Sequence, residues 1–196
     1  MSVATNLSQE GLVIPPTPLT PRLRKRILQR VRNPHEVAGD LDAQRAACRT
    51  GGRRLSELVR KYGKKPTDRY AGWLQAYAQK RMEKAIVQIP SGVYRFEDVL
   101  DDDGFGHGPI RICVAIRRKG NRVRVDFNGT DPQVPGNINA VYAVTLSAVL
   151  YCFRCLVPDD IPLNAGAASC IEVFAPEGSV VNARPPAAVA AGNVET

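Results

Sequence analysis

Histidine is scarce in this chain of 196 residues, with two copies, and aromatic residues make up 6% of it. His35 and His107 lie far apart, and neither has a metal-ligating neighbour three or four residues on. That spacing argues against a two-histidine metal site within the chain. No apolar run approaches the roughly 20 residues needed to span a bilayer. Met1 to Gln9 lacks a basic stretch followed by an apolar one, so no secretory signal is expected. Cysteine is sparse and odd in number: Cys48, Cys113, Cys152, Cys155 and Cys170. Reduced thiols and a cytoplasmic protein are therefore expected. Cys152-Phe-Arg-Cys155 has the spacing of a redox or zinc pair but lies in an apolar helical pattern, so both are read as buried small hydrophobes. Serines 56, 147 and 179 lack a nucleophile-elbow context.

What the chain has is positive charge, small residues and turn formers. The formal net charge is +8. Much of the excess precedes Pro66, in Arg22-Leu-Arg-Lys-Arg26, Arg53-Arg54, Arg60-Lys61 and Lys64-Lys65. No base-stacking aromatics accompany it, so it is read as a solvated face or a subunit contact rather than a nucleic-acid surface. The stretch from Ala175 to Thr196 is dense in Ala, Gly and Pro and reads as a segment internal to a larger structure.

Three regions are expected: a Pro-rich and basic arm (1–32), a helical hairpin (33–90) and an α+β domain incomplete at its C-terminus (91–196). Prolines 15, 16, 18 and 21 keep the first 20 residues extended, and a basic helix follows from Arg22 to Arg32. Asn33-Pro-His-Glu36 is a helix start, with Asn33 as N-cap, Pro34 at the first position and Glu36 closing a capping box. Leu55, Leu58, Val59 and Tyr62 form one apolar stripe of that helix, expected to be buried, and Gly63 ends it. A second helix is expected from Thr67 to Ile89, burying Tyr70, Trp73, Leu74, Tyr77, Ala85 and Ile86. The short link between the two predicts an antiparallel pair.

The hydrophobic period then changes to two. Ile110 to Ile116 and Val123 to Phe127 alternate around Lys119-Gly120-Asn121, a hairpin signal. Val93 to Val99 adds a third strand, and Ile171–Phe174 and Val180–Val181 are short final strands. Residues 139–156 return to helical spacing, with Val144, Ala148, Tyr151 and Cys155 on one side. The fold class is α+β, an antiparallel sheet with a packed helix.

Two loops carry the candidate chemistry. Gly129 to Asn139 links a strand to a helix, where amides can receive an anion. Its Asn137 and Asn139 either hold a polar ligand or satisfy backbone groups in a tight turn. Gly192-Asn-Val-Glu195 offers Asn193 and the carboxylate of Glu195. These four residues are the candidate substrate contacts, on loops expected to face one cleft. Asp101-Asp-Asp-Gly104 is read as an acidic connection between strands rather than a cation loop.

Several segments resemble the hydantoinase B/oxoprolinase family. They include Asn33-Pro-His-Glu-Val-Ala-Gly-Asp-Leu-Asp-Ala-Gln44, Arg49-Thr-Gly-Gly-Arg-Arg-Leu55 and Gly92-Val-Tyr-Arg-Phe-Glu-Asp98. Asp126 to Ala140, Pro162-Leu-Asn-Ala-Gly166 and Ala175 through Thr196 complete the set. The resemblance implies part of the B-type subunit of an ATP-dependent enzyme that hydrolyses cyclic amides such as hydantoins and 5-oxoproline. It implies an actin-like A-type ATPase partner that phosphorylates the substrate oxygen, so ATP and a divalent metal belong to the complete enzyme. Related ketone carboxylases, or a non-catalytic interaction module, are the alternatives. The family's upstream His-Ala-Asp-Ile-Gly-Gly type motif has no match here, so no metal ligand carries over and no catalytic residue is assigned. The chain is expected to be inactive alone.

Overall fold

Thr20 opens the first substantial helix: its hydroxyl accepts the amide of Leu23 at 3.1 Å, and Pro21 supplies a preset φ at the first position. The computed structural model describes residues 4–157, 161–162 and 164–195, with side chains to Asn193. In chain order the elements are α1 (Leu7–Glu10), α2 (Pro21–Leu28), α3 (Pro34–Tyr62), α4 (Lys64–Gln88), β1 (Gly92–Leu100), β2 (Ile110–Lys119) and β3 (Arg122–Asp126). They continue with α5 (Tyr142–Cys155), α6 (Ala165–Ala168), β4 (Ile171–Phe174) and α7 (Gly192–Glu195). The class is α+β, as expected.

Contacts divide the chain into two units, one of Gly11–Gly72 and one of the first ten residues together with Trp73–Thr196. In the first unit α2 meets α3, where Arg24 pairs with Asp42 at 2.9 Å. Pro34 begins α3, but Asn33 does not close a capping box: its side-chain amide donates to Glu36 Oε2 at 3.0 Å instead. The amide of Gly63 returns to Val59 O and ends the helix. No side chain of α3 is buried, and Leu58 is 49% exposed. The expected burial of the Leu55–Tyr62 stripe is therefore corrected. Helical spacing defines an apolar face, but a face is buried only where another element lies on it.

The second unit holds a four-stranded sheet in the order β1-β2-β3-β4. Lys119 pairs with Arg122 across a two-residue turn. Gly120 has φ +62°, which suits the first central position of a type II′ turn. β1, β2 and β3 are antiparallel, whereas β4 runs parallel to β3. The expected all-antiparallel sheet is thus a mixed one. The reason is the connection: α5 and α6 intervene between β3 and β4, and a helical crossover returns the chain in its original direction. Val180 and Val181 are buried but form a turn with isolated bridges at Ser179 rather than a strand.

The core lies between this sheet and two helices. Ala78, Met82 and Ile86 of α4 meet Val123, Val125 and Ile171 of the sheet and Val149 and Phe153 of α5. The buried face of α4 overlaps the expected one only at its end, because Tyr70, Trp73, Leu74 and Tyr77 are exposed. On α5 the buried stripe is Thr145, Val149 and Phe153, rotated from the expected one. The Thr145 hydroxyl fixes that rotation by donating to Val181 O at 2.6 Å. Cys152 and Cys155 consequently face outward, correcting their expected burial. A second cluster of Ile110, Ala175, Val180 and Val181 packs against Val134 and Ile138 beneath the candidate loops.

Candidate active-site loops

Between Phe127 and α5 the chain cannot form regular structure, because Gly129, Pro132, Pro135 and Gly136 interrupt any ladder or helix. Its backbone groups must find other partners. Asn139 supplies several of them. It is 0% exposed; its Oδ1 accepts Val134 N at 2.8 Å, and its Nδ2 donates to Val134 O, Gly136 O and Ala188 O at 2.7–2.9 Å. Asn139 is therefore spent on holding the loop and joining it to the C-terminal segment.

The amides of this loop do receive an anion, but one from the protein. Gly136 N donates to Asp103 Oδ2 at 3.0 Å. Asp103, 1% exposed, also accepts Phe105 N and His107 N on Oδ1. Its Oδ2 lies 3.0 Å from His107 Nδ1. Burial alone would raise the Asp103 pKa, but the hydrogen bonds from Phe105, His107 and Gly136 outweigh it and hold the value down at about 2. The acidic connection between β1 and β2 is thus an internal clamp, and it orients His107, whose side chain is 60% exposed.

The C-terminal segment is wired to the same loop. Asn137 O accepts Ala191 N at 3.0 Å and Gly192 N at 3.2 Å. Gly192 lies so close to the carbonyl of Asn139 that a β-carbon would overlap it. Gln133 Oε1 accepts Arg184 N, and Gln133 Nε2 donates to Arg184 O. Glu10 completes the cluster: its carboxylate accepts Val189 N and Ala190 N, each at 2.8 Å.

The structure joins the segments that carry Asn137, Asn139 and Asn193 through the bonds of Ala191 N and Gly192 N to Asn137 O. Asn137 is half-buried and Asn193 exposed, and among the described residues neither side chain has a hydrogen-bond partner. Asn139 is consumed internally. The Glu195 side chain lies outside the described residues. Sequence reading missed Glu10, because nothing in an extended proline-flanked arm marks a residue that will cap a segment 180 positions away. It also missed the Asp103–His107 pair, although an Asp-x-x-x-His spacing around Gly104 and Gly106 was its available signal.

The model of the hydantoinase B/oxoprolinase family matches residues 1–196. The chain belongs to this family. It is 32% identical over 204 residues to the uncharacterized protein MJ0963 of Methanocaldococcus jannaschii, covering 100% of this chain and 36% of that protein. It is 38% identical over 161 residues to the 5-oxoprolinase of Saccharomyces cerevisiae, covering 80% of this chain and 12% of that enzyme. Among solved structures, the ATP-dependent caprolactamase from Pseudomonas jessenii superposes with a TM-score of 0.84 at 27% identity, over 97% of this chain and 34% of that one. The chain thus spans about a third or less of the length of these relatives.

The described residues do not offer a ligand set for a divalent metal. Among the described residues, no group of three His, Cys, Asp or Glu side chains converges. The most buried carboxylate, Asp103, already accepts four N–H groups. Thiol chemistry finds no support in Cys113 or Cys170, whose pKa values burial pushes up. Among the described residues, no helix is long and apolar enough to cross a membrane.

Proposed function

We propose that this chain forms part of the B-type subunit of an ATP-dependent cyclic-amide hydrolase and supplies a loop-lined wall of its active site. The observation that carries the reading is the junction of the two loops at Asn137 O, in a chain whose relatives include a 5-oxoprolinase and a caprolactamase. The loop before α5 and the short helix α7 each carry a side-chain amide with hydrogen-bonding capacity to spare, at Asn137 and Asn193. An amide side chain presents one acceptor and two donors, which matches a cyclic amide or its phosphorylated form.

In this reading an actin-like A-type subunit is the partner and ATP its substrate. Phosphorylation of the substrate oxygen converts a poor electrophile into a better one. Asn137 and Asn193 then hold the activated ring, and Glu195 serves as general base toward water if the complete site limits its hydration. Asp103, Asn139 and Glu10 act indirectly, by fixing the loops. The complete enzyme is expected in the cytoplasm.

The test compares the 196-residue chain with the complete polypeptide plus its A-type partner. Both are supplied with ATP, a divalent metal and hydantoin, 5-oxoproline or caprolactam. Turnover is expected only from the complete assembly. Turnover by this chain alone would show that it holds a whole site. Carboxylation of a ketone without hydrolysis of any cyclic amide would assign the protein to the carboxylase branch instead.

A further inference from the structure

The solvent face of the sheet carries an arrangement that the hydrolase reading does not use. Alternation along β1, β2 and β3 places Arg95, Arg117 and Arg124 on that face, on three neighbouring strands. Arg117 and Arg124 are directly opposite each other in the register. Like charges in that position oppose strand pairing. They line a cleft of about 460 Å³ with Val93, Ala115, Asp126 and Asn128. Ala115 pairs with Arg95 on one side and Asp126 on the other, and its small side chain leaves room above the strand.

The three guanidinium groups are not equally engaged. Arg124 is held by Glu172 at 2.9 Å and Asp126 at 3.6 Å and stacks on the Phe174 ring. Asp126 is further occupied by the amide of Asn128. Arg95 and Arg117 have no ion-pair or side-chain hydrogen-bond partner among the described residues. The cleft therefore keeps two cations without an ion pair beside a third that is fixed in place, and Glu97, two residues from Arg95 on the same face, lies in an adjoining cleft. A second, smaller cleft continues it through Lys119 and Arg122.

We propose that this face is a binding site for a small molecule carrying linked phosphate groups. Guanidinium groups match phosphate in plane and charge, and bind it through paired N–H donors. Strands lie about 4.8 Å apart, so three of them spread the backbone roots of the three arginines across about 10 Å. That width exceeds one phosphate and suits two or three joined ones. The side-chain amide of Asn128 adds a donor at the edge. The proposal does not rest on the hydrolase assignment, since no residue of the candidate loops takes part.

The test uses the purified 196-residue chain, with inorganic pyrophosphate and tripolyphosphate as probes. Calorimetry in about 0.1 M salt, where unspecific attraction is screened, is expected to show saturable binding, tighter for tripolyphosphate. Amide shifts in NMR spectra should concentrate at Arg95, Ala115, Arg117, Arg124 and Asn128. The double variant Arg95→Gln, Arg117→Gln removes side chains with no ion-pair or hydrogen-bond partner among the described residues, and it should fold normally and lose about tenfold or more in affinity. Arg54→Gln, on α3, should bind as the parent does. Absence of saturable binding, unchanged affinity in the double variant, or binding of a single-stranded oligonucleotide but not of tripolyphosphate would each overturn the proposal.

Discussion

Asp103 accepts the amide of Gly136 at 3.0 Å across 33 residues of chain, and this bond ties the β1–β2 connection to the loop that precedes α5. The pair converts two irregular segments into one supported surface. The carboxylate must be ionised to accept all its donors, so the support depends on pH.

The direction follows from the Asp103 pKa, which is about 2 in the folded chain against an ordinary 3.8. A lowered carboxylate pKa stabilises the fold fully above the unfolded value and loses that contribution as pH falls through the folded one. The shift corresponds to about 2 kcal/mol. Urea unfolding should therefore show stability decreasing between about pH 4 and pH 2. Asp103→Asn should be less stable at pH 7 by a similar amount and should lack that component of the acid loss. Parallel pH profiles for the two proteins would show that Asp103 is not the clamp.

Asn139 and Asn137 are two positions apart and should respond differently. Asn139→Ala strands backbone groups of a buried loop and is expected to cost about 2–3 kcal/mol. Asn137 joins the C-terminal segment through its main-chain carbonyl, so Asn137→Ala should change stability by under about 0.5 kcal/mol. Thermal denaturation of both variants checks this contrast. Equal losses would mean that the Asn137 side chain is structural too.

A third expectation concerns the junction itself. Gly192→Ala places a methyl group against the carbonyl of Asn139, and neither backbone can yield without breaking the bonds to Asn137 O. Amide exchange at Ala191 should accelerate while the core amides of β3 remain protected. Unchanged protection at Ala191 would show that the two loops are not held together in solution.

The helices supply a fourth. Met82 is 2% exposed within the core, whereas Leu58 lies on an uncovered stripe. Met82→Ala should cost about 2–5 kcal/mol, and Leu58→Ala under about 0.5 kcal/mol. Chemical denaturation of the isolated chain distinguishes the two. A large loss at Leu58 would mean that α3 is packed in solution.

These residues also show where sequence was sufficient. The hairpin at Gly120-Asn121, the helix start at Pro34, the stop at Gly63 and the strand Ile171–Phe174 were legible, because each depends on local backbone chemistry. Which face of α4 or α5 is buried was not, because that depends on what arrives from elsewhere in the chain. Spacing put Tyr70, Trp73 and Tyr77 in the interior, and the structure leaves all three exposed. The direction of β4 was hidden for the same reason, since it follows from the α5–α6 crossover. At the loops, sequence marked Asn139 as important without distinguishing a ligand contact from a loop staple. Its four hydrogen bonds assign it to the second role within this chain.

The most direct measurement of the central claim is kinetic. Asn137→Ala, Asn193→Ala and Glu195→Gln are made in the complete B-type polypeptide and assayed with the proposed A-type partner, ATP and a cyclic amide. The account predicts a fall in kcat/KM of about tenfold or more for each, or about 1.4 kcal/mol of transition-state stabilisation, with the melting temperature nearly unchanged. Variants that melt early while their folded fraction turns over at the normal rate would contradict it, and would make these loops scaffolding for a site located elsewhere.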